Sequence, residues 1–419
     1  MPPSPRVKYS LRCIDCGADY APKDVLYLCS KCKGLLDVVL KYDEVDVEKL
    51  HLKPFNTDLQ VWKYRELLPI EDYTQVISLG EGGTKLYRCL RIGNVIGLGK
   101  LYVKNEGGNP TGSFKDRGMT VGVTRALELG AKATACASTG NTSASLAAYS
   151  AKAGLNCIVL IPSGKIAIGK LAQAVAHGAK VIAIKGDFDH ALKLIRDLCE
   201  KHSIYLLNSI NPYRLEGQKT LAYEVFEQLG CRIPDVMVVP VGNAGNISAI
   251  WKGFKELKLL GVTDKLPRMI GVQAAGAAPI ASMMAKGMKQ LEPVEKPETI
   301  ATAIRIGYPV NWKKAVRAVN ESKGAVTVVT DEEIVEAQKA AARLEGLFIE
   351  AASAASIAGL KRALQEGIVD KDEVVVCVAT GHGLKDPGII ERLYEKPIEV
   401  EASLERVLNL IGRVESGQL

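Results

Sequence analysis

From residue 100 to residue 275 short apolar runs alternate with helical stretches, and this alternation leaves the chain few folds to choose from. Strands are expected at 100–104, 133–138, 156–162, 180–184, 204–208, 235–241 and 268–274. Helices are expected between them, at 114–129, 143–153, 167–177, 188–201, 214–229 and 246–260. Short apolar strands separated by helices read as parallel sheets covered on both faces. The connections are expected to be short and right-handed. Residues 276–312 are less regular. Strand 325–329, helices 331–345 and 351–366, and strand 373–379 then close the sheet. A chain of 419 residues is long enough for two lobes. The fold class is therefore α/β, and small ligands of such folds lie beyond the carboxyl ends of the strands.

Composition removes several alternatives. The chain is 47% hydrophobic and 24% charged, as in globular proteins, and no apolar stretch reaches the roughly 20 residues of a membrane span. The formal charge of +7 is spread along helices with no basic block, which argues against nucleic acid but is compatible with anionic small molecules. The Met-Pro-Pro-Ser-Pro start reads as a short disordered lead without a signal core, so the cytoplasm is the expected compartment.

The strand at 100–104 leads into a loop carrying Gly107, Gly108, Pro110 and Gly112, after which Ser113 is placed to cap a helix whose first turn holds Phe114, Lys115 and Asp116. A lysine at a helix N-terminus meets the positive end of the dipole. That conflict favours the neutral amine, which Schiff-base chemistry needs. Three further strand-to-helix loops carry polar groups suited to small anions. Ser138-Thr139-Gly140-Asn141-Thr142-Ser143 offers hydroxyls and an amide at a helix start, although an ordinary N-cap cluster has the same look. Gly242-Asn243-Ala244-Gly245-Asn246 lets backbone N–H groups approach a phosphate, and lacks the third glycine of a dinucleotide fingerprint. Ala379-Thr380-Gly381-His382-Gly383 ends the last strand; its lone histidine reads as a loop hydrogen-bonder. In the segment 208–220, Asn208, Ser209 and Arg214 sit where a strand ends, and Arg214 reads either as a fork for a second phosphate or as a surface cation capping a helix.

Four of the ten cysteines form two C-x-x-C pairs, Cys13/Cys16 and Cys29/Cys32. Two such knuckles in so short a span read as a four-thiolate structural zinc ribbon, with a redox dithiol as the rival. The flanking segments 24–28 and 35–40 are expected to be its strands. The other six cysteines lie mostly in apolar runs, as buried reduced thiols do. Residues 41–80 suggest a helix around Trp62, Tyr64 and Leu67-Leu68 that packs on the main body. A glycine-rich turn at 78–86 precedes a short strand.

The stretch Asn109-Pro110-Thr111-Gly112-Ser113-Phe114-Lys115-Asp116-Arg117 closely resembles the cofactor-lysine motif of the threonine synthases, members of the fold-type-II pyridoxal 5′-phosphate (PLP) enzymes. The resemblance runs from the ribbon to the Thr380 loop. It departs at Gly83-Thr84-Lys85, where the family has Asn-Thr-Pro. It implies a two-lobed, tryptophan-synthase-β-like fold with parallel-rich sheets. The ribbon would take 1–40, a large PLP-binding lobe 41–129 and 206–419, and a small mobile lobe 130–205. It implies PLP bound covalently to Lys115, with Asn141 on the 3′-oxygen, Gly242, Asn243, Ala244, Gly245 and Asn246 on the phosphate, and Thr380 by the pyridine nitrogen. Ser138, Thr139, Thr142, Asn208, Ser209 and Arg214 would contact a phosphorylated amino acid. The implied reaction is O-phospho-L-homoserine plus water to L-threonine plus phosphate, in a cytoplasmic homodimer. Cysteate synthase, acting on O-phosphoserine and sulfite, and threonine/serine dehydratase are the neighbouring alternatives.

Overall fold

The computed structural model describes residues 8–163, 168–185, 188–389, 394 and 397–415. The expected disordered lead at 1–5 lies outside them, as does residue 167, where helix 167–177 was expected to begin. Residues through Asp386 form one unit and Pro387–Leu419 a second. The first strands are β1 (Tyr9–Cys13), β2 (Asp19–Tyr20) and β3 (Leu36–Leu40), an antiparallel sheet in the order β2-β1-β3. This corrects the sequence reading of the ribbon. Segment 35–40 is a strand, but 24–28 contributes only a bridge between Leu28 and Leu35, and its partner place is taken by the alternating Tyr9-Ser10-Leu11-Arg12-Cys13. Asp24 instead closes a turn by accepting from the Ala21 N–H at 3.0 Å.

The expected helix at 41–80 is replaced by short 3₁₀ turns, the longest at Val61–Leu67 with a kink at Tyr64. Pro69 holds the preceding Leu68 in extended backbone and so ends the last turn. It docks on the main body as expected, with Trp62 Nε1 donating to Thr120 Oγ1 at 2.7 Å.

Then come β4 (Leu86–Arg88), α1 (Leu90–Ile96), β5 (Lys100–Asn105), α2 (Lys115–Glu128), β6 (Ala133–Ala137), α3 (Asn141–Lys152), β7 (Asn156–Pro162), α4 (Ile168–Ala176), β8 (Lys180–Ile184), α5 (Phe188–Lys201) and β9 (Ile204–Leu206). They are followed by α6 (Pro212–Gln218), α7 (Thr220–Gln228), β10 (Val236–Pro240), α8 (Gly245–Leu259), β11 (Arg268–Ala274), α9 (Pro279–Ala285), α10 (Trp312–Glu321), β12 (Ala325–Val329), α11 (Asp331–Glu345), α12 (Ala351–Gln365) and β13 (Val374–Ala379). The second unit carries α13 (Leu404–Glu415). The expected strands fall within two residues of these bounds. The expected single helix 214–229 starts earlier, capped by the Asn211 side chain with Pro212 in its first turn. It breaks at Lys219, whose ammonium is buried between Glu216 at 2.6 Å and Glu256 at 2.9 Å.

A six-stranded sheet runs β12-β11-β10-β13-β5-β4 and a four-stranded one β8-β7-β6-β9. Both are parallel except for β4, which pairs antiparallel to β5 at the edge. The parallel expectation therefore holds for the core strands and not for the edge. Leu11 and Val38 of the small sheet share a core with Tyr213, Ile250 and Phe254. Lys314 Nζ donates to the Leu36 carbonyl at 2.9 Å, and Lys252 Nζ to that of Val38 at 2.6 Å. The small sheet is thus fastened to α8 and α10 rather than tethered. Among the described residues no helix is long and apolar enough to cross a membrane.

Candidate active site

Strands β5 and β13 are neighbours whose last residues, Asn105 and Ala379, are register partners, so the loops that follow them open side by side. The two loops are laced together. The Phe114 N–H donates to the Thr380 carbonyl at 3.0 Å, the His382 N–H to that of Gly112 at 2.9 Å, and Ser113 bridges Gly381. This pairing diverts Ser113 from its expected capping role. The residue before α2 is Phe114, with no side-chain cap, and the buried Ser113 hydroxyl has no protein partner. Asp116 organises the loop instead, accepting from the Thr111 N–H at 2.7 Å, its hydroxyl at 2.6 Å and the Ser145 hydroxyl at 2.5 Å.

Lys115 is the first residue of α2, its Nζ lying 3.9 Å from the Phe114 ring centroid. Burial, with the Arg214 guanidinium adding, pushes its amine down to about 7, against the opposing pull of Glu350. A group poised there exchanges protons readily near neutrality. Helix α2 is locked behind it. Arg117 is fully buried, with Nε donating to Glu106 at 2.6 Å and Nη1 to Glu224 at 2.7 Å, and Lys104 donates to Glu224 at 2.7 Å. Helices α2 and α6 cross closely enough that a Cβ on Gly217 would lie 1.7 Å from the Arg117 carbonyl oxygen.

Arg214 lies on α6 at this crossing. A Cβ on Gly118 would stand 2.8 Å from its carbonyl oxygen, and one on Gly122 3.5 Å from its Cγ. It is 2% exposed, which removes the surface-capping reading, and its Nε and Nη1 have no protein partner. Burial lowers the guanidinium to about 10. An unpaired cation in so dry a place is costly unless an anion is meant to join it. Ser209 is half-buried, with its carbonyl accepting from Asn311 Nδ2 at 3.0 Å. The Asn208 amide is committed to β6, accepting from the Ala137 N–H at 2.9 Å and donating to its carbonyl at 3.0 Å.

The loop after β10 turns through Ala244, which is left-handed at φ 64° despite its Cβ. That conformation costs an L-residue about 1–2 kcal/mol and places the loop N–H groups at the start of α8. Asn243 accepts through its carbonyl from the Asn311 N–H at 3.1 Å, and a Cβ on Gly242 would touch the Ala303 carbonyl at 3.0 Å. Asn246 is 6% exposed, yet neither atom of its amide has a protein partner. Orphaned amide atoms beside a helix start are what a phosphate cradle would leave open.

Asn141 is the first residue of α3, with half-buried Ser138, Thr139 and Thr142 around it and the Gly140 N–H donating to Ser138 Oγ at 3.2 Å. Its amide donates to the Glu350 carboxylate at 3.1 Å, and the buried Thr380 hydroxyl donates to the same carboxylate at 3.0 Å. Glu350 escaped the sequence reading. The only signal was an acid directly before an Ala/Ser-rich helix, after the apolar Leu347-Phe348-Ile349. Lys385 escaped it too; its Nζ donates to the Thr111 carbonyl at 2.9 Å and to the Gln173 side chain on α4. His382 accepts at Nδ1 from the Leu384 N–H at 3.2 Å, as a loop hydrogen-bonder does.

The four thiols of Cys13, Cys16, Cys29 and Cys32 lie within 4.8 Å of one another, with Cys13–Cys32 at 3.4 Å and Cys16–Cys29 at 3.6 Å. A tetrahedral ion with Zn–S bonds of about 2.3 Å needs sulfurs roughly 3.8 Å apart, so a small shift seats it. All four positions are filled by sulfur, which is the structural and not the catalytic pattern.

The pyridoxal-phosphate dependent enzyme family matches residues 77–381. The threonine synthase of Methanocaldococcus jannaschii is 57% identical over 403 residues, covering 96% of this chain and 98% of its own. That of Methanosarcina acetivorans is 56% identical over 404 residues, with the same coverage. Among solved structures, the processed form of threonine deaminase isoform 2 from Solanum lycopersicum shares the fold with a TM-score of 0.61, over 74% of this chain and 82% of that one, at 21% identity. Relatives this similar along nearly its whole length place the chain among the pyridoxal-phosphate-dependent enzymes, as a member of the threonine synthase family.

Proposed function

We propose that the protein converts O-phospho-L-homoserine and water to L-threonine and phosphate. The observation that carries this reading is Arg214, a buried guanidinium whose Nε and Nη1 have no partner among the described residues and whose charge bears on Lys115. A serine or threonine dehydratase has no substrate phosphate to hold beside its cofactor lysine. Cysteate synthase has such a use, because O-phosphoserine also carries a phosphate, and it stands as the second reading.

PLP would be held by Lys115 covalently, by Gly242, Asn243, Ala244, Gly245 and Asn246 at its phosphate, by Asn141 at its 3′-oxygen and by Thr380 beside the ring nitrogen. When bound, it supplies an electron sink for the pair left at the substrate Cα. The residues of the chain do the rest. Arg214, Ser209 and the hydroxyls of Ser138, Thr139 and Thr142 grip the substrate phosphate and so orient Cα toward Lys115. Once the amine of the substrate has taken its place on the cofactor, the freed Lys115 amine, poised about 7, would take the Cα proton. A second proton leaves Cβ and phosphate departs from Cγ; a proton returns to Cγ, water adds its hydroxyl at Cβ and leaves its other proton on the phosphate, and Lys115 restores the Cα proton. Retaining the phosphate on Arg214 keeps the half-finished substrate in place for that addition. Asn208 acts by fixing the end of β6, from which the Ser138 loop starts.

In this reading residues 130–205 move as a small lobe against 41–129 and 206–419, and the protein works as a cytoplasmic homodimer with zinc in its four-thiolate site. The test is Lys115→Ala. It is expected to lose both the visible absorbance of bound PLP and all turnover, and an active variant would overturn the assignment of Lys115.

A further inference from the structure

Glu350 stands at the N-cap of α12, where a carboxylate ordinarily accepts from the first N–H groups of its own helix. It does not: the side chain makes no capping bond. It reaches instead across the site to Asn141 on α3 and Thr380 after β13, bonding Asn141 Nδ2 at 3.1 Å and Thr380 Oγ1 at 3.0 Å. The backbone at this point is pinned to the loop after β13. Its N–H donates to the Gly381 carbonyl at 3.0 Å, Ile349 bridges His382, and the Gly383 N–H donates to the Phe348 carbonyl at 3.0 Å. The carboxylate packs so closely on Gly381 that a Cβ there would sit 2.7 Å from Oε1. Ser353 Oγ, 3.1 Å from Thr380 Oγ1, holds that hydroxyl from a second side. Glu350 is 5% exposed, and burial raises its carboxyl while the bonds from Asn141 and Thr380, and then the charges of Lys385 and Lys115, oppose that rise.

We infer that Glu350 is a positioning residue for the cofactor ring, whose carboxylate fixes the orientation of the Asn141 amide and the Thr380 hydroxyl that are to meet the ring. The inference rests on the PLP reading above and goes beyond it, since Glu350 itself is given no bond to the cofactor. The hydrogen-bond inventory permits this: the Asn141 amide carries two N–H groups, one held by Glu350 and one free for a ring oxygen, while the Thr380 hydroxyl gives its one proton to Glu350 and would meet the ring nitrogen as an acceptor. Without the carboxylate, Asn141 loses the contact that fixes its rotamer at the mouth of α3. Thr380 keeps only Ser353. The ring then has to order both groups as it binds, and affinity falls by that cost.

The test is a PLP titration of cofactor-free protein, followed by visible absorbance and tryptophan fluorescence, in wild type, Glu350→Ala and Glu350→Gln. Glu350→Ala is expected to bind PLP at least about tenfold more weakly, the loss of roughly one hydrogen bond to a charged group. Its cofactor-free melting temperature is expected to stay close to that of wild type. Glu350→Gln keeps the reach and one acceptor, and is expected to recover most of the affinity. Equal or tighter PLP binding by Glu350→Ala would overturn the inference. If Glu350→Ala shows no cooperative melt, Glu350→Asp takes its place. One methylene shorter, it is unable to span both donors, and the same loss of affinity is expected. A wild-type protein that takes up no PLP would overturn the cofactor reading itself.

Discussion

Replacing Arg214 with methionine is expected to make the protein more stable and nearly inactive at once. The guanidinium is buried at the crossing of α2 and α6, with Nε and Nη1 lacking protein partners. Each of those N–H groups can give a phosphate a charge-assisted bond worth about 1.5–3 kcal/mol, so losing both removes roughly 3–6 kcal/mol from the bound substrate. At about 1.4 kcal/mol per factor of ten, kcat/KM for O-phospho-L-homoserine falls roughly 10²- to 10⁴-fold. The empty protein moves the other way. Exchanging buried charge for an apolar side chain of similar length commonly stabilises by about 1–4 kcal/mol, and here no paired anion is stranded by the change. Steady-state phosphate release gives the first quantity and urea unfolding of cofactor-free protein the second. A variant that is destabilised and keeps kcat/KM within about threefold of wild type would refute the reasoning, for Arg214 would then be a structural residue with a hidden partner.

Two further outcomes follow from the same geometry. Burial favours a protonated Glu224, but Arg117 and Lys104 outweigh it and hold the carboxyl at about 2, below its ordinary 4.5. Because the folded value is the lower one, its stabilisation is complete above pH 4.5 and is lost as the pH falls through 2. Glu224→Gln is expected to cost about 3–5 kcal/mol in urea unfolding at neutral pH, and Lys104→Met in that background to restore part of it; a cost under about 1 kcal/mol would contradict the network. Elemental analysis is expected to find one zinc per chain and none in a Cys16→Ser/Cys32→Ser variant, which melts at lower temperature. Equal melting with and without metal would make the ribbon irrelevant to stability.

Much of the architecture was legible because parallel strands buried on both faces leave continuous apolar runs, as at Val236–Pro240 and Val374–Ala379, that no other local structure explains. The failures share a cause. Ser113 reads as a cap, yet its backbone is taken by Gly381, 268 positions away. The segment 24–28 has the look of a ribbon strand, but Tyr9–Cys13 competes better for the same partner, pairing with Leu36–Leu40 along its whole length. Trp62 and Tyr64 promised a helix, and only 3₁₀ turns formed, the last ended by Pro69. At the site, the loops around Lys115, Asn141, Asn246 and Thr380 announce themselves because each places glycines and polar groups after a strand. Glu350 carries no local mark. An acid before a helix is ordinarily a solvated first-turn charge, and its burial follows from the pairing of residues 348–350 with 381–383. The low basicity of Lys115, expected from the helix dipole, comes instead from burial and Arg214, and neither shows in the surrounding sequence.

The most direct measurement is product analysis of purified protein given O-phospho-L-homoserine, beside a parallel reaction with O-phosphoserine and sulfite. L-Threonine and phosphate appearing in equal amounts from the first mixture, with nothing from the second, is the expected result. Phosphate from the second mixture alone would make the protein a cysteate synthase and leave Lys115 and Arg214 in their places. Neither reaction, with free threonine yielding a 2-oxo acid, would contradict the assignment of Arg214 as a substrate-phosphate socket and with it the proposed function.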